Sequence, residues 1–287
     1  MRRAVIIALA GLGAFALSCS LLVDLDGLRG AGAAASFDAG ADVSLDAGAD
    51  ASLDAGSDAM PVDGGWKPPP PLQCANAPSD AIFCADFDTS NDPSAGWSSV
   101  LKLNGDVTID PTNFNSSAHA AKAVANGNSP SYGILYKNTV DTTHERFVLS
   151  FAFRVGSVDT AATVRVGRFE YAASGPAAKV DFDVVVGPGP GVGLVLSTPT
   201  GDGGTFVDRF NVGIYQIGAW HHVTVDGKTN PFALVVAFDS AKQVIVPSSP
   251  VSNSVIGNRD IYFGASATTN MVSAATIQID DVLLRAL

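Results

Sequence analysis

The chain has 287 residues, with 17 Lys or Arg against 28 Asp or Glu, a formal charge of -11, and 47% hydrophobic residues. A negative field without a basic stripe excludes a phosphate-backbone reader, so no nucleic-acid partner is expected. The acidity is uneven, because nine Asp fall before residue 64 and face only Arg2, Arg3 and Arg29. From Leu72 onward the balance is 13 basic against 19 acidic, or -6, over a stretch long enough for one large core.

Residues 1–18 have the order of an export signal. Arg2 and Arg3 precede an unbroken run of apolar or small residues from Ala4 to Leu17, and Ser18-Cys19 follows where cleavage would fall. The run is too short to span a bilayer comfortably. Ala16-Leu17-Ser18-Cys19 resembles the bacterial lipobox, although Ala16 stands where Leu is usual. That resemblance implies lipidation at Cys19, attachment to the membrane by a lipid anchor and, with Ser20 next, a place at the bacterial outer membrane or cell surface.

Residues 19–71 read as a disordered tether. Three copies of an octapeptide, beginning at Ser36, Ser44 and Ser52, repeat Asp at every fourth position with a Gly in each unit. A helix would stack like charges and carry a glycine penalty of about 1 kcal/mol per unit. The spacing also departs from the i, i+2, i+4 pattern of calcium loops. Pro68 to Pro71 stiffens the end, and a flexible chain from Ser20 to Pro71 would span on the order of 40 Å.

Residues 72–287 form the folded domain. With Cys19 consumed by lipid, Cys74 and Cys84 remain as a pair bracketing a turn-like hexapeptide, and an oxidising compartment makes them a disulfide. Short strand-like runs follow: Ile82–Phe87, Lys122–Ala125, Gly133–Lys137, Arg146–Val155, Thr163–Tyr171, Lys179–Val186, Gly191–Ser197 and Thr205–Phe210. The series ends with Trp220–Val225, Phe232–Phe238, Val244–Val246, Asp260–Gly264 and Thr276–Leu284. Many alternate, as Phe147, Leu149, Phe151, Phe153 and Val155 do, and no helical periodicity intervenes. An all-β, two-sheet antiparallel sandwich is predicted.

The ordered set Phe83 to Asp88, Ala118 to Val124, Gly218 to Val225 and Ile277 to Leu284 resembles the strands of laminin-G-like domains, in the concanavalin A-like lectin/glucanase superfamily of jelly rolls. The resemblance implies a structural Ca2+ at the seam of opening and closing strands, held by Asp86, Asp88 and Asp280. Paired Glu of the glucanase pattern are absent: Glu145 and Glu170 fall on different predicted strands. Asp181 and Asp183 share one face of their strand, expected to be the solvent face. His221 and His222 point to opposite faces, with Trp220 on the side of His222 and packed at the core or its margin. Gly187 to Gly191 reads as a hairpin connection. The expected function is a non-catalytic binding module for a polysaccharide or an envelope protein, with Tyr132, Tyr136, Tyr171 and Tyr215 as candidate contacts. The alternatives are a divergent glycan-processing enzyme using Asp with His or Tyr, and a structural spacer.

Overall fold

A computed structural model describes residues 72–287 apart from 128–129, 141–142, 160, 173–178, 200–203, 230–231, 240, 248–257 and 268–269. The expected signal, lipid site, octapeptide repeat and Pro-rich segment lie outside the described residues.

Fifteen strands are seen among them. They are β1 (Ala81–Ala85), β2 (Ser99–Leu103), β3 (Gly105–Asp110), β4 (Ala120–Ala125), β5 (Ser131–Val140), β6 (Arg146–Ser157), β7 (Val164–Ala172) and β8 (Lys179–Val186). The rest are β9 (Gly191–Pro199), β10 (Thr205–Ile214), β11 (Trp220–Thr229), β12 (Phe232–Phe238), β13 (Ala241–Ile245), β14 (Asn258–Ala267) and β15 (Ala275–Ala286). One sheet runs β13-β12-β11-β6-β15-β4-β3, with β1 also on β15, and the other runs β10-β9-β8-β7-β14-β5-β2. Every pairing is antiparallel, giving the two-sheet jelly-roll sandwich expected.

Alternation builds the core. The inward residues of β6, Phe147, Leu149, Phe151, Phe153 and Val155, are all buried, and Phe147 stacks across the sandwich on Phe169 of β7 at 4.4 Å between centroids. Phe169 in turn stacks on Phe182 of β8 at 5.1 Å. Each ring of this size removes 150 Å² or more of apolar surface from water, by general measure on the order of several kcal/mol. Gly187 to Gly191 joins β8 to β9 as a hairpin, with Val186 opposite Val192. The disulfide Cys74–Cys84 ties the entering chain to β1.

Two strands, β2 and β3, were not evident as strand-like runs. Their sequence, Ser-Val-Leu-Lys-Leu then Gly-Asp-Val-Thr-Ile-Asp, is joined by Asn104-Gly105, a dipeptide that suggests a hairpin. The chain instead crosses between sheets there: β2 pairs with β5 and β3 with β4. Asn104 takes φ +47°, and a Cβ on Gly105 would meet the carbonyl oxygens of Val124 and Tyr132 at about 2.5 Å. Only glycine permits that backbone approach.

Gly227 of β11 lies under the Phe147 ring, where an added Cβ would meet Cζ at 2.1 Å. Because Phe147 is held by its stack, the ring has little room to yield. Gly227→Ala is therefore expected to cost about 1–3 kcal/mol in urea unfolding with an unchanged m-value. A variant as stable as the parent would show that the stack is looser than its geometry indicates.

Candidate functional site

Two polar clusters stand out, one at a seam of the eight-stranded sheet and one on the outer face of the seven-stranded sheet.

The seam arises where β15 changes partner. β4 pairs with Ala275 to Ile279 and β1 with Val282 to Arg285, so Asp280 and Asp281 fall between the two ladders, with Asp281 at φ +53°. The loop after β3 fills the gap. Asp280 Oδ2 accepts the backbone N–H groups of Asn115 and Ser116 at 2.9 and 3.1 Å, and its Oδ1 accepts that of Asp281 at 2.9 Å. Asp281 accepts Asn115 Nδ2 at 2.6 Å and Ser116 Oγ at 2.7 Å, while the same Asn115 amide also reaches His222 Nε2 at 3.1 Å. A small cleft beside it is lined by Leu72, Ser150, His222, Thr224, Asp281 and Leu283 among others. The carboxylates serve here as fasteners for backbone donors that no strand satisfies.

Asp86 and Asp88 follow β1, whose Ala85 pairs with Val282 beside the seam, and they and Asp280 are all engaged with backbone donors. Asp86 accepts the N–H of Cys74 at 2.7 Å and that of Asp88 at 3.3 Å, and Asp88 accepts that of His119 at 3.4 Å. Asp280 has the three backbone donors already named. Among the described residues no group of three or more His, Cys, Asp or Glu is placed to hold a metal ion.

The two histidines divide as expected. His221 turns inward against Phe153 and Phe238, giving its Nδ1 hydrogen to Asp239 at 2.9 Å and accepting the N–H of Gln216 on Nε2. His222 turns outward to the seam. Trp220 is half-buried on that outer face and not part of the core.

On the seven-stranded sheet, Phe169, Phe182 and Phe263 face the core, so Arg168, Glu170, Asp181, Asp183, Asp260 and Tyr262 face away. Register places Asp183, Arg168, Tyr262 and Tyr136 in one row across β8, β7, β14 and β5, with Asp181, Glu170, Asp260 and Asn138 in the next. Arg168 meets Asp181 at 2.5 Å, Glu170 at 2.8 Å and Asp183 at 3.6 Å, and Arg165 meets Asp183 at 2.8 Å. The expectation that Asp181 and Asp183 lie on a solvent face is corrected: they face outward but are only 8% and 7% exposed, with the guanidiniums of Arg165 and Arg168 against them. Burial of the ions in this way is compatible with stability only because each is paired.

Beside the network, Tyr136 and Tyr262 stack at 4.9 Å between centroids, both half-buried. Tyr262 donates its hydroxyl to Glu170 at 3.3 Å, and Asn138 Nδ2 donates to Asp260 at 2.5 Å. Burial first and the charge of Glu170 second hold the Tyr262 phenol well above its usual range, so it stays protonated. Of the tyrosines named as candidate contacts, Tyr136 and Tyr132 are on this face, Tyr215 is buried at 6% exposure, and the side chain of Tyr171 lies outside those described. Tyr262 and Arg168 were not anticipated. The alternation of Asp260 and Tyr262 with Ile261 and Phe263 was the signal for Tyr262, whereas the convergence on Arg168 needs strand order.

No family model matches the chain, and no curated protein does. Its fold is similar to that of several solved structures. An endo-β-1,4-glucuronan lyase from the fungus Trichoderma reesei shares 17% identity at TM-score 0.55, over 72% of this chain and 96% of that one. A PL-14 alginate lyase from the marine Aplysia kurodai shares 9% at TM-score 0.55, over 72% and 99%. A cellulose-induced protein shares 15% at TM-score 0.52, over 71% and 97%.

The seam gives a pH dependence. Burial, and then the charge of Asp281, push the Asp280 carboxyl up to about 8 against its backbone donors. Such a group binds its proton more tightly folded than unfolded, so the stability it contributes is complete below the unfolded value of 3.8 and is lost as pH rises through about 8. Burial lowers the pKa of His222, which acts in the opposite sense below its unfolded value of 6.5. Urea stability is therefore expected to fall between about pH 6.5 and pH 8, and Asp280→Asn should flatten that slope. A slope of the opposite sign in the parent would refute the assignment.

Proposed function

We propose that the folded domain works on carbohydrate across the outer face of the seven-stranded sheet, and that processing of a glycan is the reading this face supports best. The observation that carries it is the Tyr136–Tyr262 pair set directly against Arg168 and its carboxylates. Half-exposed rings offer apolar faces to a sugar, and the flanking Asp260 and Asn138 offer polar groups for its hydroxyls. Tyr262 stays protonated and donates its hydroxyl to Glu170, so a phenol and a carboxylate stand together beside the rings. Cleavage between sugars uses one group to protonate the leaving oxygen and another to take a proton, from an attacking water in hydrolysis or from a sugar carbon in elimination; the hydrogen bond to Glu170 must open before Tyr262 can turn to a leaving oxygen. Two of the proteins sharing the fold are named as lyases of glucuronan and of alginate, which supports carbohydrate as the ligand class. The order of sequence motifs and the sandwich together support membership of the concanavalin A-like superfamily.

Binding without catalysis is the second reading, and one observation favours it. Both guanidiniums are already paired to carboxylates, as in a rigid support for an aromatic platform. Incubation of the protein with neutral, amino and uronate polysaccharides separates the two. Processing predicts chain shortening by the parent and a fall of about 100-fold or more in Tyr262→Phe with binding retained. Binding with no shortening of any polymer supports the second reading, and an absence of binding to every polymer overturns both.

The sequence of residues 1–19 supports a lipid anchor at Cys19, at the outer membrane or cell surface, with the Asp-rich segment as tether. Cys19→Ser is expected to move the protein from the membrane to the soluble fraction. Unchanged fractionation, with no lipidated peptide by mass spectrometry, would contradict the anchor.

A further inference from the structure

We infer that this face takes its glycan as an extended chain laid across the strands, held at one end by the Tyr136–Tyr262 pair and at the other by Arg209 and Asn211 of β10. The inference rests on the carbohydrate reading above and deepens it: the ligand is a polymer or a long oligosaccharide, not a single sugar or a pair.

Strand register is the basis. Arg209 of β10 stands opposite Val195 of β9, and Val195 stands opposite Asp183 of β8. The row continues through Arg168, Tyr262 and Tyr136 to Ser99 of β2, so it crosses all seven strands. Neighbouring strands lie about 4.8 Å apart, which places Arg209 about 19 Å from Tyr262 and about 24 Å from Tyr136 along the row. Asn211 follows Arg209 by two residues and lies opposite Gly193, on the same face. The direction of both is set by alternation. Asp208 is buried and Phe210 packs against the core, so Arg209 and Asn211 project outward, where both are exposed.

These two side chains differ from the guanidiniums at the centre of the face. Arg165 and Arg168 lie against buried carboxylates, whereas Arg209 has Val195 across from it and Val207 and Asn211 on either side along its own strand. Among the described residues no carboxylate meets it. Asn211 Oδ1 accepts the N–H of Gly213 at 3.2 Å, which fixes the amide with its Nδ2 as the remaining donor. A guanidinium and an amide donor two residues apart suit the oxygens of a sugar, whether hydroxyl or carboxylate.

Between the two stations the floor is low. Asp183 is 7% exposed, Val195 is half-buried and Gly193 carries no side chain, so these residues do not stand between a ligand on the rings and one at Arg209. The row runs out at the edge strands β10 and β2. A ligand too short to reach from the rings to Arg209 gains one station only. A chain that spans them engages the second at high effective concentration, which raises affinity without any change at the first.

The test is titration calorimetry of the full chain carrying Tyr262→Phe, so that no oligomer is shortened during the measurement. Two ladders serve as probes, cello-oligosaccharides and oligoglucuronates, each from disaccharide to octasaccharide. In the ladder that binds, affinity is expected to rise at least about tenfold from the disaccharide to the length that spans the two stations and then to level off. Adding Arg209→Ala and Asn211→Ala together should remove that gain and leave disaccharide affinity unchanged, and both side chains are exposed, so the urea midpoint should hold. Tyr136→Ala should weaken every length. Affinity that does not depend on length, a length gain that survives the loss of Arg209 and Asn211, or an equal loss for short and long oligomers overturns the inference while the carbohydrate reading stands. If neither this chain nor the parent binds any oligomer of either ladder, that reading falls and the inference with it.

Discussion

The stack of Phe147 on Phe169, and of Phe169 on Phe182, joins the two sheets and determines which way every neighbouring side chain points. Because a strand alternates faces, burying Phe169 and Phe182 obliges Arg168, Glu170, Asp181 and Asp183 to face away from the core. The charged network on the outer face is thus a geometric consequence of the aromatic core. A one-residue slip of β7 would turn Arg168 and Glu170 between the sheets, and a slip of β8 would turn Asp181 and Asp183 there. Such a slip is costly enough to make the register secure.

The eight-stranded sheet is governed by a different constraint, the satisfaction of backbone groups. β15 serves β6 along one side and is shared between β4 and β1 along the other, and the exchange leaves a gap that no ladder closes. Asp280 and Asp281 close it by accepting the N–H groups of an otherwise irregular loop. Their carboxylates are more buried than their chemistry favours, which raises both above the usual range. The domain accepts this cost because unpaired backbone donors in the same place would be unfavourable as well.

These two clusters differ in what they leave over. At the seam, donors and acceptors answer one another within the chain, and the cluster acts as a joint. On the outer face Arg165 and Arg168, with Glu170, Asp181 and Asp183, form a buried ion network next to the half-exposed pair of Tyr136 and Tyr262. An aromatic surface flanked by a few placed polar groups is what a ligand-binding face needs, and the seam lacks it.

Strand identity was legible because it rests on local alternation. Lys179–Val186 and Phe232–Phe238 were read at the bounds observed for β8 and β12, and the apolar face of β6 was apparent residue by residue. The opposed directions of His221 and His222, and the pairing of Cys74 with Cys84, likewise follow from neighbours in sequence. β2 and β3 were not legible, since Asn104-Gly105 resembles a hairpin turn while the crossing to the other sheet depends on close approach to Val124 and Tyr132. The burial of Asp181 and Asp183 was also hidden, because alternation tells which face a side chain takes and not what neighbouring strands bring beside it. Sequence by itself thus determined the class of fold and the direction of most side chains, both set by period-two geometry within single strands. Tertiary structure alone decided that Arg168, Glu170, Asp181 and Tyr262 share one patch and that Asp280 holds a loop 164 residues away in sequence, because strand order is a long-range choice that no local pattern encodes.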